Sequence, residues 1–149
     1  MCKLGDIIVV KEFKNEVGEI IKKHSFIVIN EQKGSIEGIN FDLVCNMMCS
    51  FHNEEHKKRK LRFKENLEIS GKIISNKKIN AKHGFIKANQ VYYFDKTKIE
   101  YNILGQINDE LLNELLKLVI VLNKEGKLKI ITTNLKNKTF NWYYANNII

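Results

Sequence analysis

The functional groups of this 149-residue chain crowd between Cys45 and Lys64. Two thiols, Cys45 and Cys49, are followed by Ser50, His52 and His56, then by Lys57, Lys58, Arg59, Lys60, Arg62 and Lys64. Thiolates and imidazoles are the ligands zinc prefers. The spacing is wrong for the usual fingers, which separate a Cys pair from a His pair by a long loop. Cys45 follows Leu43 and Val44 in what reads as a strand, so the four could converge only after a sharp rearrangement. No metal site is expected, and both cysteines read as small buried residues. The basic block is different. A dense run of cations on an irregular segment is the footprint expected for a phosphate backbone, against the plainer reading of a solvated, mobile loop. Phe51 and Phe63 beside it could stack on bases or belong to the core.

A second group lies upstream. His24 stands directly before the apolar run Ser25–Ile29, with Lys22 and Lys23 behind it, while Ser50 and His52 stand at the far end of a third strand region. Strand ends hold side chains rigidly yet leave them in reach of solvent. A histidine at a strand edge is usually structural, so spacing alone does not decide between the two uses.

Strands must do the positioning. Asp6–Val10, Ser25–Ile29, a region around Phe41, Leu43 and Val44 within Ile36–Met48, Leu67–Ile74 and Phe85–Phe94 all read as strands. Lys11–Lys23, charged and carrying Gly18, reads as a hairpin or mobile loop. The clear helix starts at Asn108, which can cap, with Asp109 and Glu110 in the first turn. Leu111, Leu115, Val119 and Leu122 follow at helical spacing and Gly126 ends it. Lys127–Thr133 and Thr139–Tyr144 then suggest a hairpin turning near Asn137-Lys138. Its Phe140, Trp142, Tyr143 and Tyr144 would pack on the sheet or offer stacking surface, with core favoured for Trp142. The expected class is α+β, mainly β: a small, strongly bent sheet or barrel with one packed helix.

Composition bounds the rest. Hydrophobic residues at 44% and charged residues at 28% exclude wholesale disorder. The longest apolar run, Leu118–Leu122, is too short for a membrane span, and Lys3, Asp6, Lys11 and Glu12 break any signal peptide, so a cytoplasmic protein is expected. Twenty-five basic residues against 17 acidic give a net charge of +8, which suits a polyanionic partner. Abundant Lys and Asn without Pro are also what AT-rich coding produces. Three cysteines, an odd number, argue against a secreted disulfide framework.

In order along the chain, several segments resemble the CcdB/MazF/PemK toxin superfamily. Gly5-Asp6-Ile7-Ile8-Val9-Val10 resembles its opening strand, and Lys23-His24-Ser25-Phe26-Ile27-Val28-Ile29-Asn30 its second. Val44–Ser50 resembles the strand that ends in a functional Thr or Ser. His83–Val91, Asp95–Ile99, Leu104–Ile107 and the helix from Asn108 keep the order. Within the superfamily the chain is most similar to the toxins of type III systems, the ToxN/CptN/AbiQ group, through His24-Ser25-Phe26-Ile27 and through Ser50 with His52 two residues on. The Arg-Pro of MazF-type toxins is His24-Ser25 here, which makes the catalytic cation a titrating imidazole.

The resemblance implies one domain over residues 1–149: a Src-homology-3-like barrel over about 4–107, a helix over about 108–124 and a hairpin over about 127–145. It implies a sequence-preferring, metal-independent endoribonuclease toxin of the phage-defence kind, without cofactor. It also implies a structured RNA antitoxin, with a homodimer allowed. Attack by a ribose 2′-hydroxyl needs a base, a cation on the phosphorane and an acid at the departing oxygen. The resemblance assigns His24 as acid or base and Ser50 to the phosphate. His52 or Lys57 would carry charge neutralisation or the second proton transfer. RNA binding falls to Lys23, Lys57, Lys58, Arg59, Lys60, Arg62, Lys64, Lys78 and Lys82. The rival readings are a CcdB-like toxin that binds a protein and cleaves nothing, and a non-catalytic RNA-binding barrel.

Overall fold

Apolar runs that do not alternate, such as Ile7–Val10, Phe26–Ile29 and Val91–Phe94, are expected to be buried on both faces of a sheet; all of their residues are buried except Val9, which is half-buried. The computed structural model describes residues 2–32, 34–36, 39–75, 79 and 83–135. β1 (Asp6–Lys14) and β2 (Ile20–Asn30) pair antiparallel, from Ile7 opposite Ile27 to Lys14 opposite Ile20. The Asn15 side-chain oxygen accepts from the N–H groups of Val17 and Glu19 at 3.1 and 2.9 Å, and Gly18 supplies a positive φ, which closes the turn. The charged stretch between the first two apolar runs is therefore a hairpin.

β3 (Gly34–Ile36) and β4 (Ile39–Phe41) form a separate small ribbon. Then come β5 (Leu43–Cys49), α1 (Glu54–Leu61), β6 (Asn66–Glu68), β7 (Ile73–Ile74) and β8 (Phe85–Phe94). After a 3₁₀ turn at Lys96–Lys98, β9 (Tyr101–Ile107), α2 (Asp109–Lys124) and β10 (Lys129–Ile131) complete the described chain. The main sheet has the order β10-β8-β5-β2-β1-β9-β7, with β6 also on β8, and curls into a half-barrel. Every pairing is antiparallel except that of β10 with β8.

Alternate residues feed two cores. Ile7, Ile27, Val44, Met48, Ile86, Val91 and Tyr93 face α2, whose Leu111, Leu115, Val119 and Leu122 are buried among them. Ile8, Val10, Phe26, Val28, Leu43, Cys45, Tyr92 and Phe94 face the other way, into a cluster rich in aromatic rings that Phe13 completes. Each such side chain contributes about 1.5–3 kcal/mol on burial. α2 starts as its sequence dictates: the Asn108 side chain accepts from the Leu111 N–H at 2.8 Å, with Asp109 and Glu110 in the first turn.

Several expectations need correction. The basic block is not irregular: Lys57, Lys58, Arg59 and Lys60 lie on α1, and Arg62 caps its C-terminus. Leu67–Ile74 is not one strand but β6 and β7, separated by a turn in which Lys72 N–H donates to Ile69 O at 2.9 Å. The strand after α2 lies parallel to β8. Its expected hairpin partner, Thr139–Tyr144 with Trp142, lies outside the described residues, as do Lys78 and Lys82. Among the described residues no helix is long and apolar enough to cross a membrane.

Candidate active site

The register of the sheet lays out a row of side chains on the α2-bearing face. Val9 of β1 stands opposite Ser25 of β2 and, on its other side, opposite Asn102 of β9. Phe26 pairs with Met47, so Met48 is the next residue along β5 beside Ser25. Met48, Ser25, Val9 and Asn102 thus cross four adjacent strands. They floor an open groove of about 820 Å³, which Leu104, Lys11, Lys22, Lys23, His24 and Ser50 also line.

Two local features aim the end of β5 and the middle of β2 at this groove. The β5–β8 register slips between Asn46 and Met48, and the buried Asn46 amide holds the slip by donating to Lys87 O and Gln90 O at 3.0 and 2.8 Å. Lys23 takes φ +48°, a left-handed conformation costing a non-glycine residue roughly 1–2 kcal/mol. That turn leaves Lys23 on the groove while the ring of His24, next along the chain, lies edge-on to Phe13 and Phe26 at the rim of the aromatic core.

His24 Nε2 is 2.6 Å from the Met48 carbonyl oxygen. A carbonyl only accepts, so this contact assigns the proton of the neutral ring to Nε2 and leaves the Nδ1 lone pair bare. Burial pushes the imidazole below its ordinary range. The Met48 contact opposes that shift, and the Lys87 ammonium adds to it. The direction of that shift favours the uncharged ring near neutrality. Ser50, exposed just past β5, brings a hydroxyl to the same groove, and three lysines supply positive charge. Lys11 Nζ lies 3.3 Å from the Glu100 carboxylate. Among the described residues that line the groove there is no carboxylate.

The remaining candidates gather elsewhere. His52 is exposed and outside the groove lining, its ring 4.3 Å from that of His56. His56 is the buried anchor of α1. Its Nδ1 accepts from the His52 N–H at 3.0 Å, its own N–H donates to the Asn53 cap at 2.8 Å, and its ring packs edge-on to Phe51 and Phe85. Burial lowers its pKa, helped by His52, Arg59 and Lys60. Lys57 pairs with Glu68 at 3.1 Å and sits over the Phe51 ring, and Lys64 pairs with Glu125 at 3.5 Å. Lys58, Arg59 and Arg62 are exposed, and Lys60 is partly buried. None of these cations lines the groove, so α1 forms a second basic surface.

Burial raises the thiols of Cys45 and Cys49, which keeps both protonated and unsuited to nucleophilic work. Among the described residues no three His, Cys, Asp or Glu side chains gather as a metal-holding group. Lys11 and Asn102 escaped the sequence reading. Nothing in their local sequence marks them; the β1–β2 register carries Lys11 beside His24, and the β1–β9 register brings Asn102 to the same groove. The chain matches no family model, no curated protein and no solved structure.

Proposed function

We propose that this groove cleaves RNA and that the chain is a metal-independent endoribonuclease toxin acting in the cytoplasm. The fold would be a Src-homology-3-like barrel of the CcdB/MazF/PemK kind. The observation that carries the reading is the convergence of His24, whose shift favours the uncharged ring, with the Ser50 hydroxyl and Lys22 and Lys23 on one open groove. The bare Nδ1 of His24 takes the proton of a ribose 2′-hydroxyl, whose oxygen attacks the adjacent phosphorus. Lysine ammonium groups offset the charge that develops on the phosphorane, and Ser50 orients a non-bridging oxygen. The bond from phosphorus to the 5′-oxygen breaks, and that oxygen takes a proton from a lysine ammonium or from water.

The experiment is cleavage of single-stranded RNA by the purified protein with chelator present. Products ending in 2′,3′-cyclic phosphate and 5′-hydroxyl are expected. No cleavage, or cleavage that vanishes with chelator and returns with magnesium, overturns the reading. The exposed cations of α1 lie outside the groove and favour an additional, larger nucleic-acid contact, which a structured RNA antitoxin of a type III system would provide.

A further inference from the structure

The groove does not stop at His24. It runs across β1 to β9, and Asn102 stands at its far side, about 10 Å from Ser25 at the usual spacing of two strand steps. Between them the floor is apolar, made by Val9 and Leu104. The rim carries a cation: Lys11 N–H donates to Glu100 O at 2.9 Å, and the exposed Lys11 Nζ lies 3.3 Å from the Glu100 carboxylate. Glu100 and Asn102 are two residues apart, so they share a face of the β9 segment. Asn102 is exposed, and among the described residues its amide makes no side-chain hydrogen bond. An apolar floor, a cation at the rim and an uncommitted amide at the end supply three contacts to one nucleotide: an apolar surface against the base, a phosphate partner and an edge-reading group.

We propose that Asn102 is a specificity-determining residue that reads the base next to the scissile phosphate, with adenine preferred. A side-chain amide presents a donor and an acceptor side by side, and adenine offers the matching pair at N6 and N7. Lys11 holds the phosphate of the same nucleotide. The inference rests on the ribonuclease reading and deepens it.

The test uses binding as well as cleavage. Oligo(A), oligo(C), oligo(G) and oligo(U) made with 2′-O-methyl ribose lack the attacking hydroxyl, so their affinities can be measured at one salt concentration without turnover. Wild-type protein is expected to prefer oligo(A). Asn102→Ala should weaken oligo(A) binding by roughly ten-fold, the size of one bidentate contact, and leave the other three nearly unchanged. Asn102→Asp removes the donor and should move the preference toward oligo(C), whose exocyclic amine can donate to a carboxylate. Both substitutions are at an exposed position and should leave the melting temperature unchanged. A wild-type protein indifferent to base, or a preference for oligo(A) that survives Asn102→Ala, overturns the assignment. If the preference responds as expected but unmodified RNA is never cut, the base-reading role stands and the ribonuclease reading alone fails.

Discussion

A histidine that donates to a main-chain carbonyl at the edge of an aromatic core is tuned by what surrounds it. His24 keeps its neutral form to lower pH than a free imidazole, so activity that needs a base should rise through a midpoint below about 6.5 and stay level near neutrality. A pH–rate profile checks this. His24→Ala should remove the acid limb and cut the rate about 10²–10⁴-fold; an acid limb that survives that change would place the base elsewhere. Stability moves the same way. Between about 6.5 and the lower folded value the unfolded chain holds a proton that the folded ring does not, so stability is lost as pH falls through that window. Lys23 gives a second residue-level expectation. Lys23→Gly should relieve the left-handed backbone and raise the melting temperature by about 2–4 °C for roughly 1 kcal/mol. It should also slow cleavage, because a groove cation is gone. Thermal melts beside turnover assays would expose that opposition, and a variant both stabler and fully active would remove Lys23 from the chemistry. His24 and Ser50 were legible because each ends or opens an apolar run. Lys11 and Asn102 were not, because their place depends on which strands are neighbours.

At the scale of elements, α1 shows how a helix hides. Its Glu54–Leu61 sequence has almost no apolar stripe, and His56 is its only buried side chain among the described residues. Periodicity therefore had nothing to detect. The ends were readable all the same: Asn53 caps and accepts from the His56 N–H, Glu54 and Glu55 fill the first turn, and Lys58, Arg59 and Lys60 the last. That is the pattern that marked α2 at Asn108, where a stripe of leucines reinforced it. The apolar runs of β1, β2 and β8 were legible because burial on both faces removes alternation. The split into β6 and β7 was not, since a break of a few residues leaves the pattern of hydrophobicity nearly intact. The second basic surface has its own expectation. Arg59→Gln with Arg62→Gln should lower the salt dependence of structured-RNA binding by roughly 0.7–0.9 log units for each phosphate no longer neutralised. Cleavage of a short single strand, which needs only the groove, should be little changed. Binding isotherms at several salt concentrations measure the first effect, and an unaltered slope would leave α1 without an RNA role.

For the whole molecule, the net charge of +8 and two separate cationic surfaces suit a partner larger than one strand. Structured RNA is expected to co-purify with the protein and to block the groove, transcribed from short tandem repeats beside the gene. Sequencing of co-purified RNA checks this; rescue of growth by a neighbouring small protein alone would replace the RNA antitoxin. A further consequence comes from the far end of the described chain. Thr133 donates to the carbonyls of Lys14 and Asn15, Asn134 both donates to Lys14 O and accepts from Lys14 N–H, and Lys129 pairs with Glu16. The hairpin that carries Lys22, Lys23 and His24 is thus pinned at its turn by residues translated more than a hundred positions later. Between the two, β9 must arrive to flank β1. Contacts this distant along the chain form slowly, since loop closure is paid for before they return anything. At about 5–20 residues per second, the ribosome holds an unpinned hairpin for several seconds before Thr133 exists. On the ribonuclease reading proposed above, a nascent chain would leave the message being read uncut until β9 completes the groove and Thr133 and Asn134 pin its hairpin.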